Sequence, residues 1–183
     1  MFKLITQLIP LLYGPPTSFG DSYICISEGV TYTTKSPDGW LLDNESGKSD
    51  GLCLVGYPKG GSWKNSETVI YLNSTTKGSK VGNRNIKEMI EYDVKQHKAN
   101  LSNLNVTDGE GLLNNNIKVQ TKYFSDDSKS GNYEAVSYID TPKAVVFIVM
   151  TSRTEQGFKK ALTAFKTITE NFLPLPSSVI FSK

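Results

Sequence analysis

The run Ala144-Val145-Val146-Phe147-Ile148-Val149-Met150 is apolar at every position. A β-strand turns successive side chains to opposite faces of its sheet, so a strand without a polar position needs cover on both sides. The run therefore predicts a central strand with a packed layer above it and another below. It is preceded by Tyr133–Ile139 and the short link Asp140-Thr141-Pro142-Lys143, which predicts an antiparallel hairpin.

The chain carries two candidates for the covering layers. Phe158, Leu162, Phe165, Ile168 and Phe172 recur at intervals of one helix face. Ser152 with Glu155 reads as the capping box of that helix, and Pro174 and Pro176 as its stop. Ile86, Met89, Ile90, Val94 and His97 mark a second helix over 86–99, with Asn85 and Glu88 in a capping pattern. Strands are expected near 22–26, 30–34, 40–42, 51–57, 67–73 and 103–107, and over 117–124, where alternation predicts one buried and one wet face. Asn73 to Gly82 has the composition of a mobile linker.

A length of 183 residues fits one domain able to bury a core without a metal. The formal net charge of +2 gives no strong field for nucleic acid or an anionic membrane. Residues 1–20 place Lys3 before a short apolar run and then Gly14, Pro15 and Pro16, the layout of a secretory signal. The competing reading is an amphipathic helix packed on the domain. The expected organisation is a signal over 1–20, one domain over 21–176 and a tail over 177–183, in a periplasmic or secreted protein. Cys25 and Cys53 are the only cysteines. In an exported chain an even count reads as a disulfide; the alternative is two buried thiols filling core space.

The order of elements resembles the Mog1/PsbP-like fold: a few strands, one helix, three antiparallel strands and a terminal helix. Pro37-Asp38-Gly39-Trp40 is similar to the P-x-G-W that opens such domains. The helix over 86–99 and the hairpin feeding the Phe-rich helix are the other cues. Gly39–Gly47 and Tyr57–Trp63 look like segments of small exported bacterial proteins. The resemblance spans roughly 22–173. It implies an α+β fold, an antiparallel sheet flanked by helices in a three-layer α/β/α sandwich. It implies action by binding other proteins and supplies no catalytic residue.

Side-chain chemistry points the same way. His97 is the only histidine, so any Ser-His-Asp or Cys-His arrangement must use it. Its place on an apolar helix face reads as a partly buried structural residue. Asp126-Asp127, Asp43 with Glu45, and Asp108 with Glu110 are the carboxylate pairs that a secreted or periplasmic hydrolase would need. All fall in expected loops. Asp108-Gly109-Glu110-Gly111 lacks the ligand run of a calcium loop and reads as a turn. No cofactor or metal motif is present. Trp40, Tyr57 and Trp63, with Tyr71 nearby, cluster around two Gly/Pro turns and are the candidate binding residues. The competing reading buries Trp40 and Tyr71 in the core. The expected protein is a non-enzymatic protein- or ligand-binding module, its expected partner another protein, neither nucleic-acid-binding nor integral to a membrane, and a monomer or weak dimer.

Overall fold

The computed structural model describes residues 22–27, 30–78, 85–101, 103–114, 117–126 and 132–175. The expected signal segment and C-terminal tail lie outside them. Among the described residues, strands β1 (Ser22–Ser27), β2 (Val30–Lys35), β3 (Trp40–Asp43), β4 (Leu54–Pro58) and β5 (Thr68–Thr76) precede helix α1 (Ile86–Asn100). Strands β6 (Leu104–Asp108), β7 (Leu112–Asn114), β8 (Ile117–Asp126), β9 (Asn132–Asp140) and β10 (Ala144–Ser152) follow, then helix α2 (Glu155–Glu170) and β11 (Leu173–Leu175).

The large sheet runs β3-β4-β5-β10-β9-β8-β6, antiparallel throughout, with β7 on β8 beside β6. A small antiparallel sheet has the order β1-β2-β11. The apolar strand β10 is central, paired with β5 from Ala144↔Thr76 to Ser152↔Thr68 and with β9 from Val145↔Asp140 to Ser152↔Tyr133. Its two faces belong to two cores. Ala144, Val146, Ile148 and Met150 pack with Ala161, Phe165, Ile168 and Phe172 beneath α2, a core that also takes in Cys25 and Tyr32 of the small sheet. Val149 and Phe147 join Ile90, Phe124, Val136 and Tyr138 beneath α1. The result is the α+β sandwich that the resemblance implied: α1, the large sheet, and α2 with the small sheet beside it.

Several local expectations differ from the structure. Ser152 does not cap α2. It stays in β10 opposite Thr68, with the two hydroxyls 2.7 Å apart, and Thr154 takes the cap by accepting from Gly157 N–H at 3.0 Å. Pro174 does more than stop the helix. It sits in β11 opposite Tyr32, on the edge of the small sheet, where a missing N–H costs no ladder bond. Residues 73–76, read as linker, continue β5 because β10 offers them a full partner strand. The strand expected from 51 begins at Leu54. A short 3-10 helix, Lys48–Asp50, and Gly51 at φ 74° occupy the approach, and Cys53 lies just outside the ladder. The Asn44 amide bonds the Cys53 carbonyl at 2.9 Å and the Ile24 carbonyl at 3.2 Å in its place.

Cys25 and Cys53 are joined in a disulfide, Cα atoms 5.8 Å apart, tying β1 to the large sheet. Closing a loop of that length stabilises a fold by roughly 3.5 kcal/mol in the chain-entropy model. A second tie was not visible in the pattern. The buried Asn114 amide donates to Thr169 O at 2.8 Å and to Phe172 O, which anchors the carbonyl end of α2 to β7. The Asp108–Gly111 turn sits where β6 passes to β7. A side chain on Gly109 would lie 2.6 Å from Thr121 Cγ2, and its N–H bonds Thr121 O at 2.9 Å.

Phe165 is fully buried, whereas Lys166 reaches out to Glu110 at 2.6 Å. Phe165→Ala should destabilise the domain by about 3–5 kcal/mol, and Lys166→Ala should leave the denaturant midpoint nearly unchanged. Equal midpoints for the two variants would contradict the packing of α2.

Candidate functional site

The side of the large sheet away from α2 is only partly roofed. On it, alternation in β9 presents Glu134, Val136 and Tyr138, and β10 presents Phe147 and Val149. Tyr71 and Asn73 of β5 stand in register with Val149 and Phe147. Helix α1 lies over the β9 end. Asn85 and Glu88 fix its start with both bonds of a capping box, at 3.0 and 3.1 Å. Asp93 and His97, one turn apart, project from it on the same side. Tyr71, Asn73, Asp93, His97, Glu134, Val136, Phe147 and Val149 line a cleft of about 240 Å³, with Tyr138 buried beside it.

Its charges are tightly arranged. His97 Nε2 is 3.3 Å from Glu134 Oε1 and 3.7 Å from Asp93 Oδ1. The imidazole stacks on Phe124 with centroids 4.4 Å apart. The buried Tyr138 hydroxyl donates to the other oxygen of Asp93. The hydrogen bond to Glu134 holds His97 above its ordinary pKa of 6.5, against the opposing effect of burial, and the Glu134 and Asp93 charges add to it. Burial raises the Tyr138 and Tyr71 phenols well beyond their usual range, so both are neutral donors. The cleft lining contains no Ser, Thr or Cys. His97 therefore faces carboxylates and aromatic rings rather than a nucleophile.

The sequence candidates separate. Trp40 turns to the α2 side and is buried in that core, with Leu42 and Ile70. Part of it walls a second cleft of about 320 Å³ with Lys35 and Lys160. Tyr57 and Trp63 are on the opposite side. Tyr57, paired with Leu41, donates to Asp43 at 2.8 Å, and Trp63 donates to Asp50 at 2.8 Å. Trp63 meets Tyr71 edge-on, centroids 6.0 Å apart, so the aromatic group runs into the His97 cleft. Two of the three carboxylate pairs are engaged with other partners. Asp43 accepts from Glu45 N–H, Ser46 N–H and Tyr57; Glu45 pairs with Lys48, Asp108 with Lys122 and Glu110 with Lys166. Asp127 lies outside the described residues. Among the described residues no group of three His, Cys, Asp or Glu is placed to hold a metal ion. No described helix is long and apolar enough to cross a membrane.

Sequence reasoning set His97 aside and missed Asp93, Glu134 and Tyr138. The available signal was the Asp93/His97 pair at one-turn spacing on an otherwise apolar helix face.

No protein-family profile and no curated protein matches the chain in sequence. Solved structures match it in fold. The crystal structure of LpqN, involved in cell envelope biogenesis of Mycobacterium tuberculosis, superposes with a TM-score of 0.61 at 14% identity, over 89% of this chain and all of that one. The solution structure of cyanobacterial PsbP (CyanoP) from Synechocystis sp. PCC 6803 gives 0.50 at 12% identity, covering 90% of this chain and 99% of that one. The fold is PsbP-like. At such identities the PsbP-like likeness concerns the backbone, and the His97 cleft stands on its own geometry.

The raised His97 pKa makes a prediction with a definite sign. A histidine favoured in its charged form by folding contributes stability that is fully present below about pH 6.5 and is lost as pH rises through the native value. NMR titration of the single imidazole should give a midpoint above 6.5. His97→Gln should remove that part of the pH dependence of unfolding. A midpoint below 6.5 would contradict the Glu134 pairing.

Proposed function

We propose that the chain is an exported, non-enzymatic binding module that engages another protein through the side of the sheet which α1 leaves open. One observation carries this reading. Tyr57 stands beside Leu41, and Trp63 against Tyr71, on the side of the sheet that carries α1 but outside the strands α1 packs on. Leu41 is 40% exposed, and the three rings are each partly exposed. Aromatic side chains with one polar atom anchored, as Tyr57 and Trp63 are, lose little entropy on contact and dominate protein interfaces.

Three points support the rest of the reading. The Cys25–Cys53 disulfide suits an oxidising compartment. Export through the 1–20 segment would place the 21–176 domain there, periplasmic or secreted, as a monomer or weak dimer. The PsbP-like backbone is shared with a protein of envelope biogenesis, which is a suitable setting for such a module. Of the carboxylates the hydrolase reading expected in loops, Asp43, Asp108 and Asp126 end strands instead, and Glu45, Asp108 and Glu110 are each paired with a lysine.

A photo-crosslinking residue at Leu41 should trap a discrete protein adduct in cells that make the protein. The same probe at Gln96, exposed on α1, should not. Trp63→Ala should weaken the Leu41 adduct. Equal adducts from both positions, or none from Leu41, would overturn the proposed surface.

A further inference from the structure

The ionisable cluster beneath α1 calls for a physical reason. A helix and a sheet pack at least as well through apolar side chains, and exchanging a buried ionic group for them is often neutral or stabilising. Here Asp93, His97 and Glu134 have side chains only 14–31% exposed, and they open into a cleft rather than into packed core. A histidine held in its charged form by a carboxylate within a cleft is a mark of a functional site.

The chemistry of the cleft is asymmetric. Its two carboxylates outnumber the one imidazolium that faces them. Among the described residues, the other charged or titratable neighbours on this side are few. Tyr138 on β9 and Tyr71 on β5 are neutral phenols, and β10 contributes only Phe147 and Val149. On β8, Phe124 stacks on the imidazole; Lys122 and Asp126 stand one position to either side along that face, Lys122 held by Asp108 and Asp126 buried. The walls are apolar and aromatic. Val136, Val149 and Phe147 suit a methylene stem, and the Tyr71 and Phe147 rings in the lining add aromatic surface of the kind that attracts a cation.

We propose that this cleft receives one basic side chain, an arginine or a lysine, of the partner protein, with Glu134 and Asp93 as its counter-ions. The proposal rests on the binding reading above and adds the chemistry of the partner's anchor. Its volume of about 240 Å³ suits one long side chain rather than a folded segment. His97 is then a competitor. Its proton neutralises part of the carboxylate charge, so the incoming cation and the proton oppose each other. Binding strengthens as pH rises through the native His97 value, and by linkage the bound cation lowers that value.

The test is an NMR titration of the full chain with N-acetyl-arginine amide, with N-acetyl-citrulline amide as its neutral isostere. The His97 ring and Trp63 indole signals are followed at constant ionic strength. The arginine probe should shift both saturably, with affinity roughly tenfold higher at about pH 8 than at about pH 5.5, within the range such couplings take. The citrulline probe should not saturate. Glu134→Gln should weaken binding. Asn73→Lys, which plants a fixed cation at the exposed rim and disturbs no buried group, should abolish it even if the Glu134 variant folds poorly. Equal affinity for the two probes, equal affinity at the two pH values, or full affinity in Asn73→Lys would overturn the proposal. A Leu41 crosslink that persists alongside such a result would leave the binding surface standing without the cationic anchor.

Discussion

Both cores of the molecule are built on β10. An uninterrupted apolar strand cannot sit at an edge or with one face in water, and this one is flanked by β5 and β9 and covered by α1 on one side and α2 on the other. Other features follow as ways of holding those covers in place. The Thr154 cap and the Asn114 amide fix the two ends of α2. The Thr34 hydroxyl bonds Ile168 O at 2.9 Å and draws the small sheet against the same helix. The disulfide fastens β1 across to the approach to β4. Tyr32 and Phe172, with ring centroids 4.9 Å apart, fill the space between small sheet and helix.

The two covers are unequal, and that inequality is where function enters. Helix α2 buries six residues and closes its side of the sheet with help from the small sheet. Helix α1 buries only Met89 and Ile90 and packs on β6 and β9, while towards β3 and β4 the Gly47 loop covers Val55 and Leu41 is left exposed. A thin cover over half a sheet leaves an aromatic surface beside a charged cleft. It also places ionisable groups where water is partly excluded, so the Glu134–His97 bond weighs more than it would at an open surface.

The two helices, the β9–β10 hairpin and the layering were legible because each rests on a periodicity that burial enforces. The Asn85/Glu88 box was legible for the same reason: a fixed spacing with one geometric outcome. What escaped depended on contacts between distant segments. Nothing near Asn114 in the chain indicates that its amide caps a helix 55 residues later. Ser152 and Thr154 are equally good caps by composition, and only the partner strand at Thr68 decides between them. The site divided in the same manner. Trp40, Tyr57 and Trp63 formed one group along the chain, but strand alternation sends Trp40 to the α2 side and Tyr57 to the other. Glu134 and Tyr138 are ordinary residues of an alternating strand until α1 is laid across them.

Native-state amide hydrogen exchange tests the organising role of β10 most directly. Amides of a strand held between two partners and two covers open only with the whole molecule, whereas edge strands open locally. The amides of Ala144–Ser152 and of the strands paired with them should be the slowest in the protein, exchanging at the global unfolding free energy, with those of β3 and β6 much faster. Exchange in β10 as fast as in β3 or β6 would show that the doubly covered strand is not the element on which the fold depends.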